Sequence, residues 1–221
     1  MPETKSERRV TCPLCLISGQ AVVVNGADNR RYYLCKNCSL IFVDSCHHIS
    51  PEEEKKRYAT HENNIENEGY VKFLKRVLHP MLSYLDNRML GLDYGCGPGP
   101  TLSQLVRQQG IACDDYDPFF AINPIRPPYD FIFSTECFEH FHNPEKDIRR
   151  IYSLLKPGGL LGIMTDRWTT LEKFDKWYYT KDPTHVSFYH ANTFNYICNR
   201  YGFTPLWQDD NRVNLFRRIR R

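Results

Sequence analysis

Apolar positions along this 221-residue chain fall into short runs and helical stripes separated by polar turns. Two β-rich runs, AVVV (21–24) and RRYYLC (30–35), flank Asn25-Gly26, a hairpin signal. Ser50 and Pro51 predict a helix start, with Glu52, Glu53 and Glu54 placed to complement its dipole. After a polar, irregular stretch, Tyr70, Val71, Leu74, Val77, Leu78, Met81, Leu82 and Leu85 recur at helical spacing and mark one buried face. Pro80 is expected to kink that helix. A short apolar run at 90–94 leads through a glycine-rich turn into a helix ended by Gly110. Residues 111–117 read as the next strand and Phe131–Ser134 as another. Asn143 then caps a helix with Pro144 at its first position and Ile148, Ile151, Tyr152 and Leu155 inward. LKPGG stops it, and LLGIMT (160–165) is a buried strand. A last helix carries Phe194, Ile197, Cys198 and Tyr201 on one face and ends at Gly202. FTPLWQDDNRVNLFRRI closes the chain as two strands around a polar turn.

Composition narrows the partners little. Lys and Arg number 29 and Asp and Glu 26, a net charge of +3 that argues for no particular partner. MPETKSERRV lacks the apolar centre of a secretory signal, and no apolar run approaches the ~20 residues of a membrane span. The expectation is a cytoplasmic protein with no membrane attachment. The four arginines of RRIRR at the C-terminus are expected to be solvated rather than to grip nucleic acid.

Nine cysteines are present, four of them in two CxxC pairs. An odd total without a signal segment argues against a disulfide framework. Cys12 and Cys15 form one pair and Cys35 and Cys38 the other, with the predicted hairpin between them. Four thiolates at that spacing close a tetrahedron on one structural Zn²⁺, which supplies the stability that so small a module lacks. A redox pair needs a CxxC at a helix start in a βαβ unit, which is not the context here. Leu16 follows Cys15 where glycine is common in such a knuckle. Cys46, His47 and His48 are expected to be an exposed connector rather than a second metal site. The chain therefore divides into a zinc ribbon (1–48), a helical connector (49–88) and a larger domain (89–221).

The larger domain opens on LGLDYGCGPGP, an apolar strand ending in Asp93 followed by Gly95, Gly97 and Gly99. A strand, a glycine turn and a helix N-terminus together form a ligand cradle. A dinucleotide fingerprint needs its third glycine three residues after the second, and here that position is Pro100. The GxGxG spacing with a preceding acid resembles motif I of the class I S-adenosylmethionine (SAM) methyltransferases. DFIFSTECFEHFHNPEKDIRRIYSLLKPGGLLGIMT resembles motifs IV to VI of the small-molecule members of that family, so the resemblance covers residues 89 to 165. It implies a Rossmann-like sheet ending in an antiparallel pair. It also implies SAM held by Asp93, Gly95, Cys96, Gly97 and Gly99 at its methionine part. Asp117, with Pro118 and Phe119, would hold the ribose, the place of an acid at the end of a second strand. Asp114 and Asp115 precede that strand end and rank below Asp117. Ser134, Thr135 and Glu136 would lie beside the sulfonium.

One stretch departs from the family. Only 12 residues separate Asp117 from Asp130, and prolines crowd their second half. Prolines forbid a central strand. The third strand of the usual sheet is therefore expected to be missing or vestigial, with Phe119, Phe120 or the 135–136 loop covering the adenine instead.

The methyl acceptor is expected near the excursion at 166–191, which is long for a loop and dense in aromatics. His185 is the expected general base, with Tyr178 or Tyr179 beside it in an aromatic pocket; Glu136, Glu139 and His140 are the alternatives. Tyr58 and His61 are expected to be surface residues. The acceptor is expected to be a small molecule. A rival is RNA gripped through Lys5, Arg8, Arg9, Arg30, Arg31 and Lys36 of the ribbon, and another is a SAM-binding protein without turnover.

Overall fold

A computed structural model describes residues 10–60 and 63–220. In chain order it contains β1 (Ala21–Val24), β2 (Tyr32–Cys35), β3 (Ile41–Val43), α1 (Pro51–Tyr58), α2 (Glu68–Leu82), β4 (Leu90–Tyr94), α3 (Thr101–Gln108), β5 (Ala112–Tyr116) and β6 (Tyr129–Thr135). There follow α4 (Pro144–Leu154), β7 (Leu155–Met164), α5 (Leu171–Phe174), β8 (Ser187–Phe188), α6 (Ala191–Tyr201), β9 (Phe203–Gln208) and β10 (Val213–Arg218).

The main sheet has six strands in the order β5-β4-β6-β7-β10-β9. The first four are parallel, and β10 pairs antiparallel with both β7 and β9. Alternation along β6 and β7 splits the core. Phe131, Phe133, Leu160 and Met164 face α2 and α3 through Val77, Met81, Leu102 and Val106. Ile132, Leu161 and Ile163 face α4 and α6 through Ile148, Ile151, Phe194 and Ile197. The helical stripes read from the sequence are those buried faces.

Among the described residues no strand lies between Asp117 and Tyr129, so β5 is an edge, as the proline-rich spacer predicts. An open edge invites pairing with another chain. Here Asp114 of β5 is ion-paired with Arg126 and accepts from Tyr129 Oη at 3.1 Å, which ties the spacer back to the edge.

Both cysteine knuckles have the same backbone. Leu16 N–H donates to Cys12 O at 3.0 Å and Ser39 N–H to Cys35 O at 2.9 Å. Leu16 (φ 62°) and Ser39 (φ 57°) sit in the left-handed region that glycine ordinarily fills, so the sequence's departure from glycine is accommodated by strain at two tight turns.

The cysteine module is not an appendage. β3 pairs antiparallel with β8, giving a second sheet in the order β1-β2-β3-β8. One face of it, with Tyr33, Phe42 and the cysteines, packs on Tyr189, Phe194 and Cys198. The other, with Tyr32, Ile41 and Val43, packs on Trp168, Phe174, Tyr179 and Phe188. The 166–191 aromatics are therefore chiefly core between the module and the large domain, not the walls of an aromatic acceptor pocket. Arg30 is half-buried and donates to the carbonyls of Thr180, Asp182, Pro183 and His185, so it serves that junction rather than a nucleic-acid face. Lys5, Arg8 and Arg9 lie outside the described residues.

Candidate active site

A cavity of about 490 Å³ opens where the carboxyl ends of β4, β5 and β6 meet, the usual ligand position of an open α/β sheet. The glycine turn forms its floor. Gly95 (φ 82°) and Gly97 (φ 66°) take left-handed backbone, and a Cβ on Gly95 would lie 2.4 Å from Cys137 Sγ. Asp93, Gly95, Cys96, Gly97, Asp117, Pro118, Phe119, Thr135 and Glu136 line the cavity. Gly99 and Ser134 do not. A Cβ on Gly99 would meet Asn63 O at 1.7 Å, so its smallness lets the 63–67 segment close over the turn. Ser134 is fully buried in β6.

Asp117 organises this end of the site. Its Oδ2 accepts from Gly97 N–H at 3.0 Å, and its Oδ1 accepts from Phe119 N–H at 2.8 Å and Phe120 N–H at 3.1 Å. It joins the glycine turn to the residues that follow β5. Asp93 is 2% exposed and its Oδ1 has no hydrogen-bond partner. Burial first, and Asp115 second, push its carboxyl up to about 7.

The cover of the cavity was missed by sequence reasoning. Tyr58, expected at the surface, lines the cavity with its ring 5.8 Å from Phe119 and 5.0 Å from His140. It sits there because α1 lies across the opening, held by Glu54 Oε1 on His142 Nε2 (2.8 Å) and by Arg57 on Asp182 Oδ2 (2.9 Å). The polar face of α1 gave no signal of this, since charges of that kind usually mark a solvated surface. His61 lies outside the described residues. Of the expected connector, Cys46 is exposed but the His48 ring lies tilted against His142, with centroids 4.5 Å apart, at the foot of α1.

Opposite the glycine turn stand Glu136, Glu139, His140 and His185. Glu136 is held at φ 47° just beyond β6 and accepts from Arg212 Nη1 at 2.8 and 2.9 Å. Burial, with Glu139 close by, raises its carboxyl, and Arg212 opposes that rise. Both of its oxygens accept from Arg212 Nη1 at this length, so we assign Glu136 as a carboxylate. Glu139 is fully buried and accepts from Tyr179 Oη and, at 2.7 Å, from Thr165 Oγ1. His140 Nδ1 donates to Thr184 O at 3.1 Å and His185 Nδ1 to Tyr179 O at 2.7 Å. Burial lowers both imidazoles, His185 to about 3 with His140 as the second cause, so both are neutral at pH 7. The expected grouping of His185 with Glu136 is thus present. Tyr178 is not part of it. Its ring is 59% exposed, and its hydroxyl is bonded to Asp166 and Arg212 outside the cavity; Tyr179 is the tyrosine whose hydroxyl reaches the acidic pair.

In the cysteine module, one sulfur from each of Cys12, Cys15, Cys35 and Cys38 lies within 4.8 Å of the other three. Sγ of Cys12 is 3.6 Å from that of Cys38, and Sγ of Cys15 is 3.5 Å from that of Cys35. Four Zn–S bonds of ~2.3 Å in a tetrahedron put sulfurs ~3.8 Å apart, so the cluster fits that ion.

A family model described as a methyltransferase domain matches residues 65–208, well over half of the chain. The chain belongs to that methyltransferase family. No protein of curated function matches the sequence. Among solved structures, this methyltransferase is similar to the 1,6-didemethyltoxoflavin-N1-methyltransferase of Burkholderia thailandensis, solved with 1,6-didemethyltoxoflavin and S-adenosylhomocysteine. The two are 14% identical, cover 90% of this chain and 99% of that one, and superpose with a TM-score of 0.53. A SAM-dependent methyltransferase of Archaeoglobus fulgidus is 21% identical over 60% of this chain and 69% of its own, with a TM-score of 0.48. Phosphoethanolamine N-methyltransferase 2 of Haemonchus contortus, in complex with SAM, is 18% identical over 60% of this chain and 36% of its own, with a TM-score of 0.46. The fold class read from the sequence is confirmed; the likeness to the Burkholderia enzyme carries the fold and not the acceptor.

Proposed function

We propose that this methyltransferase binds SAM in the cavity at the carboxyl ends of β4, β5 and β6 and transfers its methyl group to a small-molecule acceptor. The observation that carries the reading is convergence in one covered cavity. The glycine turn, Asp93 and Asp117 line one wall, and Glu136, Glu139, His140 and His185 line the other. In this reading Gly95, Cys96 and Gly97 meet the methionine part, Asp117 the ribose, and Phe119 with Thr135 and Glu136 the base and sulfonium. Gly99 and Ser134 act from beneath. Positioning of the acceptor against the S–CH₃ bond supplies most of the catalysis, with proton removal needed only for a protic acceptor. His185, whose Nδ1 is committed to a carbonyl and whose other nitrogen is left for the cavity, is the group we place beside the acceptor.

The four-cysteine cluster would hold one structural Zn²⁺, because four thiolates leave no open position. The division into residues 1–48, 49–88 and 89–221 then corresponds to metal module, cavity cover and transfer domain. The cavity's size lies within the range of small-molecule sites and its cover restricts entry, which supports a small acceptor over a folded RNA.

The test is calorimetric titration of SAM, followed by transfer from labelled SAM to separated small-molecule and RNA fractions of a cell extract. Label in the small-molecule fraction is the expected result. Label in RNA would move the acceptor class, and micromolar SAM binding with label in neither fraction would favour a SAM-binding protein without turnover.

A further inference from the structure

Glu139 is a buried acid to which the methyltransferase reading gives no charge partner. It is fully buried, yet among the described residues it has no ion-pair partner. Arg212, whose charge also acts on Glu139, makes its carboxylate hydrogen bonds to Glu136 and Asp166. The two groups that touch Glu139, the hydroxyls of Tyr179 and Thr165, fix both of its oxygens and carry no charge. A buried carboxyl is either neutral or, when charged, paired with a cation or bound to a metal.

Beside it stand His140 and His185, with ring centroids 4.8 Å apart. One donor atom from each of Glu139, His140 and His185 lies within 4.8 Å of the other two. A carbonyl only accepts, so the bonds to Thr184 O and Tyr179 O place an N–H on each Nδ1 and leave Nε2 as the lone-pair atom. An imidazole so fixed by a backbone carbonyl, next to a carboxylate fixed by two hydroxyls, is the outer-shell arrangement of a metal site. The simpler reading, an ion pair between Glu139 and an imidazolium, requires an imidazole N–H bonded to Glu139, and none is present among the described residues.

We propose that Glu139, His140 and His185 bind a divalent first-row transition ion whose open positions take an oxygen of the acceptor. Two imidazoles and one carboxylate suit zinc, manganese or iron rather than calcium, and three protein ligands leave room for a substrate. With bonds of ~2.1 Å the ligand atoms of a tetrahedral ion sit ~3.4 Å apart, so the three side chains close by roughly an ångström on binding. The second half of the proposal rests on the methyltransferase reading. A hydroxyl bound to the ion gives up its proton to solvent far more readily than a free one. The resulting oxyanion attacks the SAM methyl carbon: an O–C bond forms, the C–S bond breaks with its electron pair going to sulfur, and S-adenosylhomocysteine leaves. The acceptor class is then an alcohol with a neighbouring oxygen able to chelate. His185 serves as a ligand to the ion and not as a free base.

The experiment is Mn²⁺ titration of the full-length, zinc-loaded protein, read as loss of the free Mn²⁺ EPR signal, with zinc content and SAM affinity measured on the same samples. Mn²⁺ is chosen because it does not compete with zinc for thiolates. The expected result is about one Mn²⁺ per chain, with affinity reduced at least roughly tenfold in His185→Asn and in Glu139→Gln while zinc content and melting temperature hold. Should Glu139→Gln unfold, His185→Asn carries the comparison. No uptake of Mn²⁺, or of Co²⁺ read by its visible bands, beyond the cysteine-bound metal overturns the site. So does uptake by His185→Asn with wild-type affinity. Ion uptake together with absent SAM binding would leave the ion site standing and overturn the methyltransferase reading instead.

Discussion

Ile41 of the cysteine module lies opposite Phe188 of the large domain across an antiparallel ladder, and His185 is three residues before Phe188. The pairing makes the module part of the support of the cavity. Backbone bonds reinforce it: Val43 N–H donates to Val186 O at 2.9 Å, and Val186 N–H donates to Glu139 O at 2.8 Å. A chain of hydrogen bonds thus runs from β3 through Val186, the neighbour of His185, to Glu139.

Cys38→Ala should therefore affect more than the module. Elemental analysis is expected to show the loss of about one zinc per chain, and scanning calorimetry a melting temperature lower by ~5 °C or more, consistent with a loss of several kcal/mol. Methyl transfer should fall further than SAM affinity, because the support reaches the acceptor side first. Undiminished zinc in this variant would remove the cysteine cluster as the metal centre.

Asp117 accepts three backbone N–H groups. Asp117→Ala should weaken SAM binding about ten- to a hundredfold, the loss of one charge-assisted hydrogen bond of roughly 1.5–3 kcal/mol. It should also lower the melting temperature, because three donors lose their acceptor. Calorimetric titration that returned an unchanged Kd would shift the ribose to another acid.

Asp93 gives the site a pH dependence. Its carboxyl is raised in the folded protein to about 7, against the usual 3.8, by burial and by Asp115, with Arg107 opposing and Asp117 adding to the rise. The folded state therefore holds a proton that the unfolded chain has released. This contribution to stability is present below about pH 4 and is lost as pH rises toward 7, at ~1.4 kcal/mol per pH unit. Asp93→Asn should flatten that slope in a series of melting curves between pH 4 and 8. SAM carries positive charge, so its binding to the wild type should strengthen as pH passes through about 7, and Asp93→Asn should abolish the trend. Parallel pH profiles for the two proteins would refute the assignment.

Tyr178 and Tyr179 are neighbours with different duties. Tyr179→Phe removes the hydroxyl that orients buried Glu139, and should cut methyl transfer by about tenfold or more, the effect of losing an outer-shell hydrogen bond. Tyr178→Phe leaves the cavity lining intact and should stay within about threefold, because its hydroxyl meets only Asp166 and Arg212 outside it. Rates measured at saturating SAM separate the two; a larger loss in Tyr178→Phe would place the acceptor on the Arg212 side.

Tyr58 covers the cavity from α1. Tyr58→Ala should speed the release of SAM in stopped-flow dissociation while leaving the melting temperature within about 3 °C, since a residue at the cavity mouth contributes little to the main core. Unaltered dissociation would mean that α1 is an outer decoration.

Much of this protein is written in local patterns. Period-two and period-3.6 apolar positions mark the sheet and its helices, because burial of one face is enforced residue by residue. The glycines at 95 and 97 announce the turn, because there the backbone needs left-handed conformation beside the cavity wall. The proline-crowded 12-residue spacer announces the missing strand, because proline cannot donate to a ladder. The two CxxC pairs announce the four-sulfur cluster, because each pair is a local turn. What the sequence left open depends on distant segments meeting. Nothing in SF (187–188) says that it completes the sheet of the cysteine module, and the aromatics around it were as compatible with a pocket as with a core. The charged face of α1 reads as solvated until the fold lays it across the cavity, where His142 and Asp182 receive it. Glu139 and His140 precede His185 by more than forty positions, and only the return of the chain through β8 brings the three side chains together. Local spacing determines turns and faces; pairing between remote strands decides which charges share one cavity.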